Sequence, residues 1–407
     1  MKILWVNTNF LHPTTKGGQI RTLEILRHLK RRHEIHYVAI EDPAHPEAAA
    51  QAAEYCARAY PFRHRIPPKK SVAFARMFVE SWFSEMPLAV SRFHSPALGD
   101  LLRDLIRKER FDRAVVDHLA PTAYFPDLEH SLLFQHNVET MIWRRHAEYA
   151  PDPLRRYYFR RQAERMFEYE RRACRVAGHI VAVSGVDAST MRKLFGVERI
   201  SEIPTGVNVE YFSPPPEPVR GAELVFVGSM DWLPNIDGVA WFVREVWPAI
   251  RSRRPQTTLA IVGRTPPPKI VALAGQPNIS VTGTVPDVRP YFWGSAVSIV
   301  PLRIGGGTRL KIYEAMAARS PVVSTTVGAE GLQIDPPRDI RIADAPGDFA
   351  AQCLELLENP AARAEMADRA WSMVSRNFSS GRVAERFSET LEQAPALACP
   401  VPYTAVP

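Results

Sequence analysis

Short apolar strands alternate with helical segments in two successive series along the chain, and this pattern constrains the fold more than any other feature. The first strand, residues 3–6, leads through Gly17 and Gly18 into apolar residues at helical spacing between positions 20 and 29. The series restarts with the strand at 223–228, which also ends in glycine. Buried strands that alternate with helices predict βαβ units and parallel sheets covered on both faces.

The length of the chain predicts two domains. Its 407 residues exceed what a single hydrophobic core usually contains, and a proline-rich segment typical of a semi-rigid linker separates the two series. We therefore predict an α/β protein with two doubly wound Rossmann-like domains that face a central cleft. The expected parts are an amino-terminal domain (1–205), a linker (206–220), a carboxy-terminal domain (221–378), a helix that crosses back to the first domain (379–393) and a disordered tail (394–407).

Composition narrows the class of protein further. The apolar fraction of 46% and the charged fraction of 23% are those of a globular protein with a sizeable core. No apolar stretch approaches the length needed to span a bilayer, and the amino terminus has no signal-peptide pattern. The four cysteines are scattered, which argues against a disulfide framework or a structural zinc site. We expect a cytoplasmic protein.

The positive charge lies in the first half of the chain. Residues 1–205 contain 32 lysines and arginines against 24 acidic residues, whereas residues 206–407 contain 19 against 20. This asymmetry indicates that the first half faces an anionic partner, such as a membrane surface or a phosphorylated substrate. An arginine-rich genome is the alternative explanation.

An arginine-dense helical stretch with interleaved aromatic residues covers residues 142–177. A basic amphipathic surface of this kind can rest on anionic lipid, at the inner face of the cell membrane. It can equally be a solvated helix pair with Arg–Glu contacts at helical spacing. Nucleic acid is not expected, because no recognised binding module accompanies the charge.

The segment 298–318 carries the strongest chemical signal. An apolar strand runs into three glycines, and a helix begins near Thr308. Glycines allow close backbone approach, and the amino-terminal end of a helix favours a phosphate. Cations in a first helical turn are unfavourable unless an anion compensates them, so Arg309 and Lys311 indicate a bound diphosphate. The glycines are Gly305, Gly306 and Gly307.

Glu314 follows Lys311 by three residues, on the same side of the predicted helix. Its two carboxylate oxygens could accept hydrogen bonds from the vicinal hydroxyls of a ribose. A plain surface ion pair between Lys311 and Glu314 is the alternative, but the preceding glycines favour a ligand site.

Residues 301–318 resemble the donor-binding region of GT-B fold retaining glycosyltransferases of family 4, which use nucleotide-sugar donors. The chain is also similar to the subgroup associated with exopolysaccharide systems. Further pieces of the resemblance follow in order along nearly the whole chain: Gly17-Gly18, His136 to Glu139, Val183-Ser184, Ile203 to Asn208, Val227-Gly228, Gly283 to Asp287, Ser320 to Ser324 and Gly328 to Gly331.

The resemblance implies roles for individual residues. Glu314 matches the glutamate that holds the donor ribose, and Val285 matches the segment that borders the nucleobase. The amide of Gly18, preceded by Gly17, approaches the diphosphate, and His118 faces the donor sugar. The remaining expected donor-binding residues are Gly228, Gly306, Gly307 and Thr308. His118 could also be a structural residue after a buried strand.

His136 and Glu139 are candidate acceptor-side residues. As a pair they could orient an acceptor, or they could simply cap the helix that follows.

The sequence departs from the family pattern at two places. Gly306 stands where the first glutamate of the Glu-x7-Glu pattern is expected, and neutral Ser229 and Asn235 stand where the family carries Arg and Lys. Arg309 and Lys311 are the evident substitutes for the missing positive charge.

These features predict a metal-independent hexosyltransferase without a cofactor, because no Asp-x-Asp cluster is present to hold Mg²⁺. The expected partners are a nucleoside diphosphate sugar, a lipid-linked or saccharide acceptor, and an anionic membrane surface. The alternatives are a sugar-nucleotide 2-epimerase of the same fold and a catalytically silent GT-B scaffold, the latter motivated by the missing glutamate.

Overall fold

The chain forms two compact units, each with its own parallel sheet. The computed structural model describes residues 1–14, 17–68, 71–150, 152–304 and 309–397. The first unit comprises Met1–Pro204 and Val383–Pro407, and the second comprises Thr205–Arg382.

The first unit contains a seven-stranded sheet in which all strands are parallel. Its strands are largely apolar and buried, as expected when helices cover both faces. The order is β3-β2-β1-β4-β5-β6-β7. The strands are β1 (Lys2–Asn9), β2 (Glu34–Ile40), β3 (Arg58–Phe62), β4 (Arg113–Asp117), β5 (Leu132–Gln135), β6 (His179–Ala182) and β7 (Ile200–Glu202).

Eight helices of this unit precede the second unit in the described residues. Several begin at an N-cap whose side chain accepts a backbone N–H, such as Ser95, Asp152 and Ser184. The helices are α1 (Gly17–Leu29), α2 (Ala48–Gln51), α3 (Val72–Glu80), α4 (Leu88–Ser91), α5 (Pro96–Glu109), α6 (Glu139–Glu148), α7 (Pro153–Val176) and α8 (Gly185–Phe195).

The second unit repeats the architecture with six parallel strands in the order β10-β9-β8-β11-β12-β13. The strands are β8 (Leu224–Val227), β9 (Leu259–Val262), β10 (Ile279–Gly283), β11 (Val297–Val300), β12 (Val322–Ser324) and β13 (Arg341–Ile342). The helices are α9 (Val209–Phe212), α10 (Leu233–Trp241), α11 (Trp247–Arg253), α12 (Pro268–Val271), α13 (Arg289–Trp293), α14 (Leu310–Ala317), α15 (Pro346–Glu358) and α16 (Pro360–Asn377). The predicted α/β class with two doubly wound sheets is confirmed.

Each sheet has a point at which the strand order reverses, between β1 and β4 in the first unit and between β8 and β11 in the second. In doubly wound folds, the carboxyl ends of the strands at such a point form a crevice that binds ligands. Ligand-binding residues are therefore expected after β1 and β4 in the first unit, and after β8 and β11 in the second.

The segments outside the two strand series pack against one unit or the other. Residues 206–220, predicted as a linker, lie in the second unit, where Arg289 Nη1 donates to the Tyr211 carbonyl and Trp293 Nε1 to the Phe212 carbonyl. Helix α17 (Ser380–Gln393) packs into the first-unit core through Val383, Phe387 and Leu391.

The segment predicted as a disordered tail begins with packed residues. Ala394 and Leu397 are buried in the first unit. Ala394 packs in the same apolar cluster as the α17 residues Val383, Phe387 and Leu391, whereas Leu397 packs in the other apolar cluster of this unit. Residues 398–407 lie outside the described residues.

Within the described ranges, every helix falls short of the length or the apolar character that crossing a membrane requires.

Candidate functional site

A buried carboxylate organises the carboxyl end of β4 in the first unit. Asp117 is fully buried, and its Oδ2 accepts hydrogen bonds from Trp5 Nε1 (3.0 Å), Asn7 Nδ2 (2.8 Å) and Thr22 Oγ1 (2.8 Å). Its Oδ1 lies 2.6 Å from His136 Nε2. Burial alone would raise the pKa of Asp117, but the neighbouring histidines and these donors outweigh it and lower the pKa. Asp117 is therefore an ionised, fully satisfied acceptor.

His136 is held between an anion and a cation. Its Nδ1 lies 2.9 Å from Arg21 Nη1, and since arginine can only donate, Nδ1 accepts and Nε2–H donates to Asp117. Burial lowers the pKa of His136, as do His118 and Arg21, while Asp117 acts in the opposite sense. His136 is therefore neutral with a fixed tautomer.

Asp117, His118 and His136 lie close enough together to be considered as metal ligands. His136 does not fit that role as placed, because both of its ring nitrogens are engaged by Asp117 and Arg21. The geometry thus describes a hydrogen-bonded network that joins Asp117, His136 and Arg21.

His118 is the exposed member of this cluster. Its backbone adopts a positive φ of 73°, which is uncommon for a residue with a side chain. Its imidazole is 32% exposed and stacks on His136 with ring centroids 3.9 Å apart. A Cβ built on Gly18 would lie 3.3 Å from His118 Cε1 and 3.4 Å from His136 Nδ1. The structure thus brings Gly18, His118 and His136 together at the start of α1, whereas a Cβ built on the adjacent Gly17 would meet nothing within 4 Å.

The start of α6 is capped from another helix. Glu170 on α7 is fully buried, and its carboxylate accepts the backbone N–H groups of Glu139 (2.9 Å) and Thr140 (2.8 Å) and the Thr140 hydroxyl (2.6 Å). The capping interpretation of His136 and Glu139 is therefore wrong, because Glu170 supplies the negative charge at this helix end. Burial raises the pKa of the Glu139 carboxyl to about 7, and Arg92 opposes the rise.

In the second unit, two strands end in glycines that the packing requires. A Cβ on Gly263, after β9, would lie 1.8 Å from the Gly228 carbonyl oxygen. A Cβ on Gly228, after β8, would lie 2.5 Å from Lys311 Nζ and 2.9 Å from Asn235 Nδ2. Only glycine therefore lets the ammonium group of Lys311 approach this backbone so closely.

Lys311 lies in the first turn of α14 and points toward the loop after β8. Its Nζ donates to Asn235 Oδ1 at 2.8 Å and lies 4.5 Å from the centre of the Phe226 ring. Asn235 Nδ2 in turn donates to the Ser229 carbonyl at 2.7 Å. Burial lowers the pKa of Lys311 to about 7, with Arg309 acting in the same sense and Glu314 against it.

Glu314 shares the desolvated surroundings of Lys311. Burial raises its pKa to about 7, and Lys311 opposes the rise. Both side chains are half-buried, and the Lys311 amine is directed at Asn235. This arrangement differs from an exposed surface ion pair, in which water would keep both groups near their ordinary pKa.

The other predicted donor-site residues have different surroundings. Arg309 is buried, with Nη2 3.5 Å from the Val327 carbonyl and its guanidinium 5.8 Å from the centre of the Trp232 ring, so it is held rather than mobile. Val285 follows β10 and packs against the second-unit core. Gly306, Gly307 and Thr308 lie outside the described residues.

Sequence reasoning missed Arg264 in the second unit, and Asp117 and Arg21 in the first. Arg264, directly after Gly263, donates from Nε to Ser229 Oγ at 2.9 Å, and its position after a strand that ends in glycine was a usable signal. Asp117 precedes His118 and was likewise visible. The pairing of His136 with Arg21 joins residues 115 positions apart and has no local signal.

Comparison with known proteins agrees with this architecture. A sequence model described as "Glycosyltransferase Family 4" matches residues 15–211, and one described as "Glycosyl transferases group 1" matches residues 221–359. The chain belongs to glycosyltransferase family 4, so the predicted family and the predicted enzyme class, a glycosyltransferase, are confirmed.

The chain is also similar to particular proteins and solved structures. An uncharacterised 44.6 kDa protein of the cps region of Klebsiella pneumoniae is 24% identical over 173 residues, which span 40% of this chain and 45% of that relative. Sucrose-phosphate synthase from Thermosynechococcus elongatus has 16% identity and a TM-score of 0.69 over 96% of this chain and 98% of its own. HepE from Anabaena, in complex with UDP and glucose, has 13% identity and a TM-score of 0.67 over 97% and 100%. These structures confirm the GT-B fold.

Proposed function

We propose that the chain is a retaining glycosyltransferase that moves a sugar from a nucleoside diphosphate sugar to a lipid-linked or saccharide acceptor. The product would belong to cell-surface polysaccharide or glycolipid synthesis, which the similarity to a protein of a cps region supports. The complex of the similar HepE structure with UDP and glucose supports a nucleotide-sugar donor.

The desolvated Lys311 carries this proposal. A half-buried ammonium in the first turn of α14, beside a strand end that only glycine permits, is placed to meet a diphosphate. Glu314, one turn further on the same helix, is placed to accept hydrogen bonds from a ribose diol.

In the proposed transfer, the bond between the sugar's anomeric carbon and the diphosphate oxygen breaks, and the acceptor oxygen forms the new bond on the same face. The acceptor's proton passes to the departing phosphate oxygen, so the products are the glycoside and a nucleoside diphosphate. Lys311 and Arg309 would stabilise the charge that develops on the diphosphate, which is electrostatic catalysis by preorganised groups.

The first unit would contribute polar groups to substrate binding. The amide of Gly18 and the exposed imidazole of His118 are proposed to contact the donor, and His118 is held by its stacking on neutral His136. The half-buried carboxyl of Glu139 is the proposed acceptor-side group.

Calorimetric titration of the full chain with UDP and with GDP tests the donor site. Lys311→Ala and Glu314→Gln should each lose nucleotide affinity and sugar transfer while melting like the parent protein. Arg253→Gln is the matched control, because Arg253 pairs with Glu358 at another place in the second unit and should bind normally. Parental affinity in both site variants would refute the assignment.

The same protein separates the alternative functions. A 2-epimerase would convert or hydrolyse the nucleotide sugar when incubated alone, which NMR would detect, whereas a transferase requires an acceptor. A silent scaffold would show no shift in melting temperature with UDP or GDP, whereas binding to the native state stabilises an enzyme.

We further propose that the first unit rests on an anionic membrane through a basic surface with an apolar edge. Helix α3 has no buried residue in its span, and Val72 and Phe83 on and beside it are 88% and 86% exposed. Its inner side is anchored to α7, where the rings of Phe78 and Tyr158 lie 4.6 Å apart. Exposed apolar side chains thus lie next to the arginine-rich start of α7.

The arginines next to this edge supply the charge complementarity to anionic lipid. An open groove of about 500 Å³ lies between helices α6 and α7. Its polar lining consists of Arg144, Arg156, Arg160 and Glu148 and is mostly cationic, and Ala147 and Ala163 complete it. Each arginine near an anionic surface contributes about 1 kcal/mol to binding, and salt screens this contribution.

Flotation with vesicles tests the membrane proposal. Binding to phosphatidylglycerol vesicles should exceed binding to phosphatidylcholine vesicles and should fall with salt. Phe83→Ser and the double variant Arg155→Gln/Arg156→Gln should weaken it, whereas Val271→Ser, an exposed apolar site in the second unit, should not. Equal binding to both lipids, or none, would contradict the proposal.

A further inference from the structure

Arg264 joins the loop after β8 through both its backbone and its side chain. Its carbonyl accepts the Met230 N–H at 2.9 Å, and its Nε donates to Ser229 Oγ at 2.9 Å. The following residue, Thr265, has a positive φ of 49°, so the chain turns sharply directly after Arg264. The guanidinium of Arg264 therefore lies beside Ser229.

Ser229 is contacted from two sides by groups that connect it to cations. Its hydroxyl meets Arg264, and its carbonyl accepts from Asn235, which also accepts the hydrogen bond of Lys311. The family resemblance places a cationic residue at position 229 itself, where this chain has a neutral serine. Arg264, which follows the neighbouring strand β9, therefore places a positive charge beside position 229, where the family pattern has a cation and this chain has serine.

We propose that Arg264 supplies a further cation, beside Lys311 and Arg309, for the diphosphate of the donor, in place of the arginine that the family carries at position 229. This inference rests on the proposed function of the Lys311 site. Arginine suits the role because its planar fork can donate two parallel hydrogen bonds to phosphate oxygens.

Asp231 controls how available this guanidinium is. Its Oδ2 lies 3.4 Å from Arg264 Nη2, and the two side chains are 50% and 38% exposed. Water screens a pair this exposed, so the pair can rearrange easily. A diphosphate would compete with Asp231 for the same donors, and the aspartate would also repel it.

Calorimetric titrations with UDP, GDP and inorganic pyrophosphate distinguish this role from a structural one. Arg264→Gln should weaken binding of all three ligands about tenfold, the loss expected for one charge-assisted hydrogen bond. Binding of uridine or guanosine, which have no phosphate, should not change. Asp231→Asn should tighten diphosphate binding a few-fold in the parent chain and have no such effect in the Arg264→Gln background.

A rescue variant distinguishes loss of the cation from unfolding of the Arg264→Gln protein. Ser229→Arg in the Arg264→Gln background should recover diphosphate affinity, because it returns the cation to the family's position. Arg253→Gln is again the control, and melting temperatures should confirm that every variant is folded.

The outcomes separate the inference from the function on which it rests. If Lys311→Ala loses affinity while Arg264→Gln binds all three ligands like the parent, the role of Arg264 is wrong and the donor site stands. If neither variant changes affinity, or the parent binds none of the diphosphates, the donor site itself is wrong. Equal losses for nucleosides and diphosphates in Arg264→Gln would make the residue structural.

Discussion

The polar clusters around Asp117 and around Lys311 differ in how many hydrogen bonds stabilise the buried charge. Asp117 accepts from three side chains through one oxygen and pairs with His136 through the other. Lys311 has one hydrogen bond, to Asn235, and the face of an aromatic ring. Side chains of the protein stabilise the charge of Asp117 in full. The positive charge of Lys311, by contrast, would be stabilised by an anion that binds beside it.

The first arrangement suits the positioning of a side chain, and the second suits the binding of an anion. A compensated carboxylate fixes the orientation and tautomer of His136, on which His118 stacks, before any substrate arrives. A desolvated lysine gains more from an incoming anion than a solvated one does, because it has few partners to give up. The first-unit cluster should therefore matter most for stability, and the second-unit cluster most for binding.

Asp117→Asn should give the largest effect. It removes the charge that four donors surround, so the free energy of unfolding should fall by about 3–5 kcal/mol. Urea denaturation measures this loss, and Asp104→Asn, an exposed residue beside Arg107, is the matched control. A loss similar to that of the control would show that the cluster is not structural.

Lys311→Met should separate binding from stability. Affinity for UDP or GDP should fall about 100-fold, as expected for one desolvated charge contact. The free energy of unfolding should hold or rise by up to about 1 kcal/mol, because a desolvated ammonium is replaced by an apolar group. Calorimetric titration and denaturation of the same sample measure both values. A strongly destabilised variant that keeps its nucleotide affinity would show that Lys311 contributes to stability and not to binding.

His118→Ala should affect turnover more than folding. The transfer rate should fall about 10- to 100-fold if the imidazole contacts the reacting sugar, while stability changes by less than about 1 kcal/mol because the side chain is partly exposed. His130→Ala is the control, since His130 is a partly exposed histidine paired with Asp127 in the same unit. Unchanged turnover would leave His118 a structural residue.

The dependence of binding on pH should be the smallest effect. Burial lowers the pKa of Lys311 to about 7, and a bound diphosphate would raise it again. Nucleotide binding should therefore take up protons above pH 7, and affinity should decline as pH rises from 7 toward 10. Titrations at pH 8 in buffers of different ionisation enthalpy measure the uptake, which Lys311→Gln should abolish. Uptake that persists in this variant would contradict the assignment.

The sequence predicts these two regions unequally. His118, Lys311 and Glu314 follow local patterns, a strand end or a glycine-rich helix start, and such patterns can be seen in a single segment. The two sheets were predictable for a similar reason, because strands buried on both faces are continuously apolar.

The contacts that complete the sites depend on tertiary structure. His136 meets Arg21 and Asp117 only because β1, β4 and β5 lie side by side. Glu170 caps α6 from the middle of α7, so a search near the helix start finds His136 and Glu139 instead. Such pairings carry no periodic or spacing signal along the chain.

A crystal structure of the chain with UDP or GDP bound would locate the nucleotide relative to Lys311 and Glu314. We expect a diphosphate oxygen within hydrogen-bonding distance of Lys311 Nζ and the ribose hydroxyls in contact with the carboxylate of Glu314. A nucleotide bound elsewhere, with Lys311 still donating to Asn235 alone, would contradict this expectation.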